Sequence, residues 1–321
     1  MRAFVLASTE TPPALTELPV PEPGPGEIRV RIRACGLNFA DLLMAKGTYQ
    51  EIPPMPFVMG MELAGEVDAL GEGVSRLKPG QRVAVFAGQG GLAEYGCFPA
   101  ARCLPIPDAM PFDHAAGFMV AYGTSHVALR HRARLKAGET LLVLGAAGGV
   151  GLTAVEIGAK LGARVVAVAR GAEKLKVAQA AGASVLIDSE GDDLKAAFKA
   201  LGGVDVVYDA VGEPAASAAL RAMNPEGRYV VIGFAGGTVP QFPANILLVK
   251  NIDVIGLYWG GYSAFAPEVL TDSLAELMRL YAEGGLHPHV SHALPLEQTA
   301  EAMALMRSRA STGKVVITMA D

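Results

Sequence analysis

The sequence predicts an α/β chain in two parts, a β-rich domain followed by a doubly wound parallel sheet. Three observations carry this. The first sixty residues are dense in prolines and turns; short apolar runs recur at even spacing from Thr140 onward; and 321 residues are 51% hydrophobic and only 18% charged, enough for two cores and too apolar for a disordered chain.

In chain order, nine of the 21 prolines fall early, at Pro12, Pro13, Pro19, Pro21, Pro23, Pro25, Pro53, Pro54 and Pro56. Between and after them lie β-like runs at Ile28 to Ile32, Leu63 to Val67 and Arg82 to Phe86. Val74 to Gly80 reads as the turn feeding the last of these. The pattern changes near residue 120. Apolar runs then begin near Thr140, Arg164, Ser184, Val204, Arg228 and Ile252, always 20 or 24 residues apart. That spacing suits successive right-handed crossovers. Leu141 to Leu144 and Val165 to Val168 are apolar throughout, as strands buried on both faces require. After about residue 265, Leu270, Leu274, Leu277, Met278 and Tyr281 share one helical face. A further helix is expected over Leu296 to Arg309, and Val315 to Thr318 reads as a final strand that returns to the first domain. The expected division is 1–119 with 265–321, and 120–264.

Composition excludes several function classes. Lys and Arg total 27 against 32 Asp and Glu, a net charge of −5, which disfavours nucleic-acid binding through phosphate neutralisation. The three cysteines, Cys35, Cys97 and Cys103, form no CxxC pair, so neither a disulfide framework nor a structural zinc site is expected. The N-terminus lacks the form of a signal peptide. The uncharged run from Tyr229 to Val249 is broken by Gly233, Gly236, Gly237, Pro240 and Pro243, too often for a lipid-spanning helix. A soluble, cytoplasmic enzyme with no membrane contact is the expectation.

The sharpest motif is Leu141 to Gly151: a buried strand, a glycine turn (Gly145-Ala146-Ala147-Gly148-Gly149-Val150-Gly151) and a helix start. Gly148 would let the backbone approach a pyrophosphate, Gly151 would let helix and strand pack closely, and the N–H groups at the helix start would bind the anion. Ala146 replaces one glycine of the usual pattern, and alanine-glycine turns also join strands to helices for purely structural reasons. Six evenly spaced strands favour the nucleotide reading and a Rossmann sheet. The strand Val165 to Ala169 ends in Arg170 rather than in the acid that binds a ribose 2′-hydroxyl. Arg170 and Lys174 would hold a 2′-phosphate instead, which favours NADPH over NADH; otherwise they form a solvated basic helix start.

The chain resembles the zinc-independent quinone oxidoreductases of the medium-chain dehydrogenase/reductase superfamily. The likeness lies in Cys35 to Asp41, Gly60 to Val67, Ala146 to Gly151, Tyr208 to Gly212 and Gly313 to Val316. It implies a GroES-like β-rich catalytic domain completed by the C-terminal tail, a Rossmann NADPH-binding domain, and a homodimer joined through an edge strand at Ile252 to Gly256. Zinc members of the superfamily use a Cys, a His and a second Cys or Asp. Cys35 matches the first, Met61 stands at the second and Ala116 near the third, so no metal is expected.

The resemblance places Asn38, Asp41 and Tyr49 at the nicotinamide and substrate. Asn38 would hold the cofactor amide or ribose and donate to a substrate oxygen, Asp41 would order that network, and Tyr49 would donate to a carbonyl. It assigns cofactor contacts to Thr124, Ala147, Gly148, Gly149, Val150, Gly151, Val211, Gly233, Phe234, Leu257, Tyr258, Trp259 and Lys314. Each has a plain alternative: a turn or helix cap for Asn38 and Asp41, loop packing for Tyr49, core packing for the apolar residues, a surface position for Lys314. His287, His289 and His292 cluster without an acid or thiol beside them. The implied activity is hydride transfer from NADPH to a quinone. The nearest alternative is reduction of an activated C=C bond, with Tyr49 as proton donor. A third reading is a non-catalytic NADPH-binding sensor.

Overall fold

A computed structural model of the chain describes residues 1–320. In chain order its elements are β1 Arg2–Leu6, β2 Ala14–Glu17, β3 Glu27–Gly36, α1 Phe39–Ala45, β4 Phe57–Val58, β5 Glu62–Leu70, β6 Arg82–Phe86, β7 Tyr95–Pro99, β8 Cys103–Pro105, α2 Phe112–Ala116 and α3 Met119–His126. Then follow β9 Thr140–Leu144, α4 Gly149–Lys160, β10 Arg164–Ala169, α5 Ala172–Ala180, β11 Val185–Asp188, α6 Leu194–Ala200, β12 Val204–Asp209, α7 Ala215–Ala222, β13 Met223–Val231, α8 Ala244–Lys250 and β14 Asp253–Gly256. The chain continues with α9 Tyr262–Phe265, α10 Pro267–Ala282, β15 Val290–Pro295, α11 Thr299–Arg307 and β16 Lys314–Thr318. It divides into two compact units: Met1–Val120 together with the segment from His287 onward, and Ala121–Leu286.

The first unit is β-rich. β3 alternates buried and half-buried residues, the period expected of a strand with one face on a core. It pairs antiparallel with β5, β7 and β16. The late strand β16 therefore completes the sheet begun at residue 27, as expected, with Val316 opposite Gly36. Leu6, Ile28, Ile32, Leu63, Val83 and Ile317 meet in its core.

The second unit holds six parallel strands in the order β11-β10-β9-β12-β13-β14. Sheet order runs out from β9 in both directions, so the chain reverses between β9 and β12, the switch point of a doubly wound sheet. β9 is buried at every residue. The run expected near Arg228 is the second half of a longer strand, β13.

The domain boundary differs from the expectation at 264/265. Residues 265–286 belong with the parallel sheet. The cause is α10, whose apolar stripe (Leu270, Leu274, Leu277, Met278) is buried within the second unit. Its Ser273 bonds His126 at the end of α3, 2.8 Å from Oγ to Nδ1. The helix expected over Leu296 to Arg309 is a 3-10 turn, Leu296–Gln298, followed by α11. Among the described residues, no helix is long and apolar enough to cross a membrane.

Candidate functional site

In the first unit, three strands bring distant polar residues together. Gly36 at the end of β3 lies opposite Glu62, the first residue of β5, and opposite Val316, two residues after Lys314. Two residues past Gly36, Asn38 caps α1 in an extended conformation (φ −124°, ψ 155°). Asp41, at the third helical position, accepts a hydrogen bond from the Asn38 backbone N–H at 2.8 Å. This is the carboxylate arm of a capping box, and it fixes how the chain enters the helix.

The Lys314 ammonium donates to Leu37 O at 2.7 Å, Asn38 Oδ1 at 2.9 Å and Glu62 Oε1 at 2.8 Å. Asn38 Nδ2 donates to Glu62 Oε1 at 2.9 Å and to Gly36 O at 3.3 Å. Glu62 Oε2 accepts from the Val120 N–H at 2.9 Å. These are interior groups, with Glu62 and Asp41 each 1% exposed, Lys314 7% and Asn38 9%. A buried ion pair is sustained only when its remaining donors and acceptors are met, and those of Lys314 and Glu62 are.

Burial raises the Asp41 carboxyl to about 7, with the Glu62 charge adding to the rise and the Asn38 N–H and Lys314 charge opposing it. Burial also pushes the Cys35 thiol well up, helped by Asp41 and Glu62. Cys35 is fully enclosed: a methyl group built on Gly60 or Gly91 would stand 2.7 or 2.9 Å from its sulfur. Tyr49, in the segment after α1, is half-buried against the core of this unit.

Sequence reasoning gave no role to Glu62. The available signal was an acid at the head of a strand, followed by the apolar pair Leu63-Ala64 and by further acids at Glu66 and Asp68. Lys314, expected at the cofactor or on the surface, is neither exposed nor unengaged in this structure; its three N–H groups all serve the first unit.

In the second unit, β9 runs into Gly145, whose φ of +76° suits glycine. The N–H groups of Gly145 and Ala146 both donate to Val168 O, at 3.0 Å each. Gly148 caps α4. A Cβ on Gly151 would collide with Gly145 O at 2.1 Å, whereas a Cβ on Gly148 would find nothing nearer than 3.4 Å. Gly151 is thus required by helix packing, and Gly148 is an exposed position, free of clashes, at a helix start whose first N–H groups lack intrahelical acceptors. Ala147 is buried at 2% exposure in a small core with Ala169 and Leu175. Hydroxyls tie down this turn: Ser125 Oγ donates to Val150 O at 2.8 Å and lies 2.8 Å from Thr153 Oγ1 and 2.9 Å from Tyr208 OH. Thr124 precedes Ser125 on α3 and is buried.

At the end of β10, Arg170 is 41% exposed and sits 3.2 Å from the Glu190 carboxylate. Asp188 accepts from the Gly171 and Glu190 N–H groups, and these bonds hold its carboxyl below the usual range. Two acids at and just past the end of β11, Asp188 and Glu190, thus lie against the end of β10. Lys174 is half-buried on the first turn of α5. After β12, the buried Asp209 accepts from the N–H groups of Val211 and Gly212, at 2.8 Å each, and from Tyr229 OH at 2.7 Å. It shapes the turn that carries Val211. Gly233 follows β13, and Phe234 is partly exposed. Leu257 and Trp259 are buried, Trp259 lying on Gly123, where a methyl would meet its ring at 2.7 Å. Tyr258 lies between them in sequence. His289 bonds Thr312 at 2.9 Å and His292 bonds Ser291 at 2.9 Å. Among the described residues, no three His, Cys, Asp or Glu side chains form a metal-binding group.

Two family models match these two units: the alcohol dehydrogenase GroES-like domain over residues 24–108, and the zinc-binding dehydrogenase domain over residues 149–278. The chain is 39% identical over 322 residues to quinone oxidoreductase-like protein 2 of Bos taurus, covering 99% of this chain and 92% of that one. It belongs to the quinone oxidoreductase family of the medium-chain dehydrogenase/reductase superfamily.

Solved structures of the quinone oxidoreductase family superpose closely. The Thermus thermophilus quinone oxidoreductase, described together with its NADPH complex, gives a TM-score of 0.88 at 33% identity, covering 99% of this chain and all (100%) of the other. The Escherichia coli quinone oxidoreductase complexed with NADPH gives 0.91 at 29% identity, with coverage of 99% and 100%. The residues present fit such a nucleotide. The space above Gly148 is the kind of cradle that a Cβ would fill, and α4 offers its N–H groups to a diphosphate. They do not fit a catalytic zinc. Cys35 is a buried thiol with a raised pKa, Met61 offers a thioether, Ala116 offers no donor, and the Glu62 carboxylate is already bonded to Lys314.

Proposed function

We propose that this chain is an NADPH-dependent quinone oxidoreductase that works without zinc. The observation that carries the reading is the Gly145–Gly151 turn, closed by packing at Gly151 and open at Gly148. NADPH, when bound, supplies the hydride, and a quinone takes it up readily without a Lewis acid. The α4 N-terminus holds the diphosphate. Arg170 and Lys174 hold the 2′-phosphate, Arg170 turning from Glu190 to do so. Phe234, Leu257 and Trp259 shield the nicotinamide from water. Asp41 keeps Asn38 at the head of α1, and Tyr49 donates a hydrogen bond to an acceptor oxygen.

The same reading places the protein in the cytoplasm as a homodimer. β14 is an edge strand of the six-stranded sheet, and the helix that precedes it in the chain, α8, leaves Leu248 and Val249 77% and 76% exposed. An unpaired edge together with bare apolar side chains favours pairing with a second copy.

The test is loss of reduced-nicotinamide absorbance against two panels, one of ortho- and para-quinones, one of enals, enones and short enoyl-CoA esters. Fast quinone turnover with silent alkenes is expected. The reverse would make the protein an alkene reductase. Tight NADPH binding with no turnover on either panel would make it a sensor.

A further inference from the structure

Asn38 sits between two groups of opposite capability. An ammonium can only donate, and a carboxylate can only accept. The side chain of Lys314 therefore requires Oδ1 on its side of the amide, and Glu62 requires Nδ2 on the other. No flipped amide satisfies both. The two Nδ2 hydrogens are then committed to Glu62 Oε1 and Gly36 O, at 2.9 and 3.3 Å. Oδ1 receives one bond, from Lys314 at 2.9 Å, and keeps one lone pair. Lys314 itself cannot turn away, because its other two hydrogens are held by Leu37 O and Glu62 Oε1. Its stem is also confined: a methyl on Gly117 would come within 3.0 Å of it. Glu62 is anchored in turn by the Val120 N–H at 2.9 Å.

We propose that Lys314 and Glu62 are positioning residues that set the polarity of Asn38, leaving it able to accept a hydrogen bond from a bound molecule but not to donate one. This rests on the proposed NADPH-dependent function and on the cofactor contact that the family resemblance implies for Asn38. The partner group is then a donor, either the carboxamide N–H or a ribose hydroxyl of the nicotinamide nucleoside. A quinone carbonyl finds no donor at Asn38, which leaves that task to Tyr49. The donation to a substrate oxygen expected from the sequence is the role this geometry removes.

The protein has four asparagines, Asn38, Asn224, Asn245 and Asn251, so selective ¹⁵N labelling of asparagine side chains gives four amide pairs. The Asn38 pair is assigned by its loss in Asn38→Ser. In the free protein both Asn38 protons are expected to exchange at least about tenfold more slowly than those of the exposed Asn245 and Asn251. Saturation with NADPH, followed by its own fluorescence, is expected to leave both protons protected. Fast exchange of either proton in the free protein, or a proton that gains protection only when NADPH binds, overturns the proposal. Absence of NADPH binding by fluorescence would instead sink the cofactor reading, and the free-protein exchange would still decide the polarity.

Glu62→Gln supplies a second check. A carboxamide there cannot accept from both Lys314 and Asn38 while also accepting from Val120 N–H, so Asn38 exchange is expected to rise about tenfold or more in the folded variant. Unchanged exchange overturns the proposal. The 3-acetylpyridine analogue of NADPH, which keeps the carbonyl and lacks the amide N–H, separates the two donors. Weaker binding than NADPH, with the difference abolished in Asn38→Ser, assigns the carboxamide. Equal binding of both, weakened alike by Asn38→Ser, assigns the ribose hydroxyl. Binding of both unchanged in Asn38→Ser overturns the contact.

Discussion

The two units build their polar sites by opposite means. In the second, the candidate nucleotide site is backbone: a turn of seven consecutive residues, Gly145 to Gly151, where one glycine is demanded by packing and another leaves room. In the first, the site is side chain: a buried network whose members, Asn38, Glu62 and Lys314, lie 24 and 276 residues apart in sequence. A backbone site depends on the absence of side chains and tolerates change around it. A buried charge network depends on each member, because losing one partner strands another in the interior.

The sharpest way to break this comparison is Lys314→Met. It leaves the Glu62 carboxylate without its cation at 1% exposure, and should cost about 3–5 kcal/mol of stability in denaturant titration. A loss under about 1 kcal/mol would show that the network is not held by charge. Gly151→Ala comes next. Its methyl would meet a carbonyl oxygen at 2.1 Å, and the overpacking should cost about 3 kcal/mol. Normal stability there would mean that the helix is not pinned to the turn.

Removing Arg170 and Lys174 together, each to Ala, should weaken NADPH binding while sparing NADH. Charge-assisted contacts contribute about 1.5–3 kcal/mol each, and competition from Glu190 at 3.2 Å from Arg170 favours the low end. Equal weakening of both cofactors, measured by fluorescence titration, would remove these residues from the 2′-phosphate.

Asp41→Asn tests the first unit by pH. A carboxyl raised to about 7 by burial is protonated in both folded and unfolded states below about pH 4, where it contributes nothing. Between about pH 4 and 7 the unfolded chain ionises and the folded one resists, so stability falls as pH rises. The neutral variant should therefore gain on the wild type across that window, by about 4 kcal/mol at pH 8 and by little at pH 4. A constant difference across thermal melts at these pH values would refute the raised carboxyl. The smallest effect on stability belongs to Gly148→Ala, whose methyl would meet nothing nearer than Gly145 O at 3.4 Å. It should change stability by less than about 1 kcal/mol yet lower NADPH affinity at least about tenfold. Unaltered affinity would move the nucleotide away from this turn.

Legibility in the sequence followed the same division. The even spacing of apolar runs revealed all six parallel strands, because a parallel sheet repeats one local unit. The Gly145–Gly151 turn was readable for the same reason. The apolar stripe of α10 was readable as a helix face, but not its destination, which depends on contacts such as His126 with Ser273, 147 residues apart. Within the first unit, Asn38 and Asp41 stood out beside a helix start. Glu62 did not, since a single acid at a strand head is as common on a surface as in a buried network. Nothing local marks Lys314 as its partner, and only the sheet register brings the two together.

The route of the chain through the first unit has a consequence for biosynthesis. The strand bearing Glu62 leaves the ribosome roughly 250 residues before the lysine that neutralises it. The second unit, Ala121–Leu286, is one uninterrupted stretch and can close as it is made. The first cannot. Until β16 emerges and inserts beside β3, the nascent β-rich unit has an open sheet edge and an acid without its counter-charge. The candidate site in that unit is therefore assembled last, and a chain released before residue 314 would lack it.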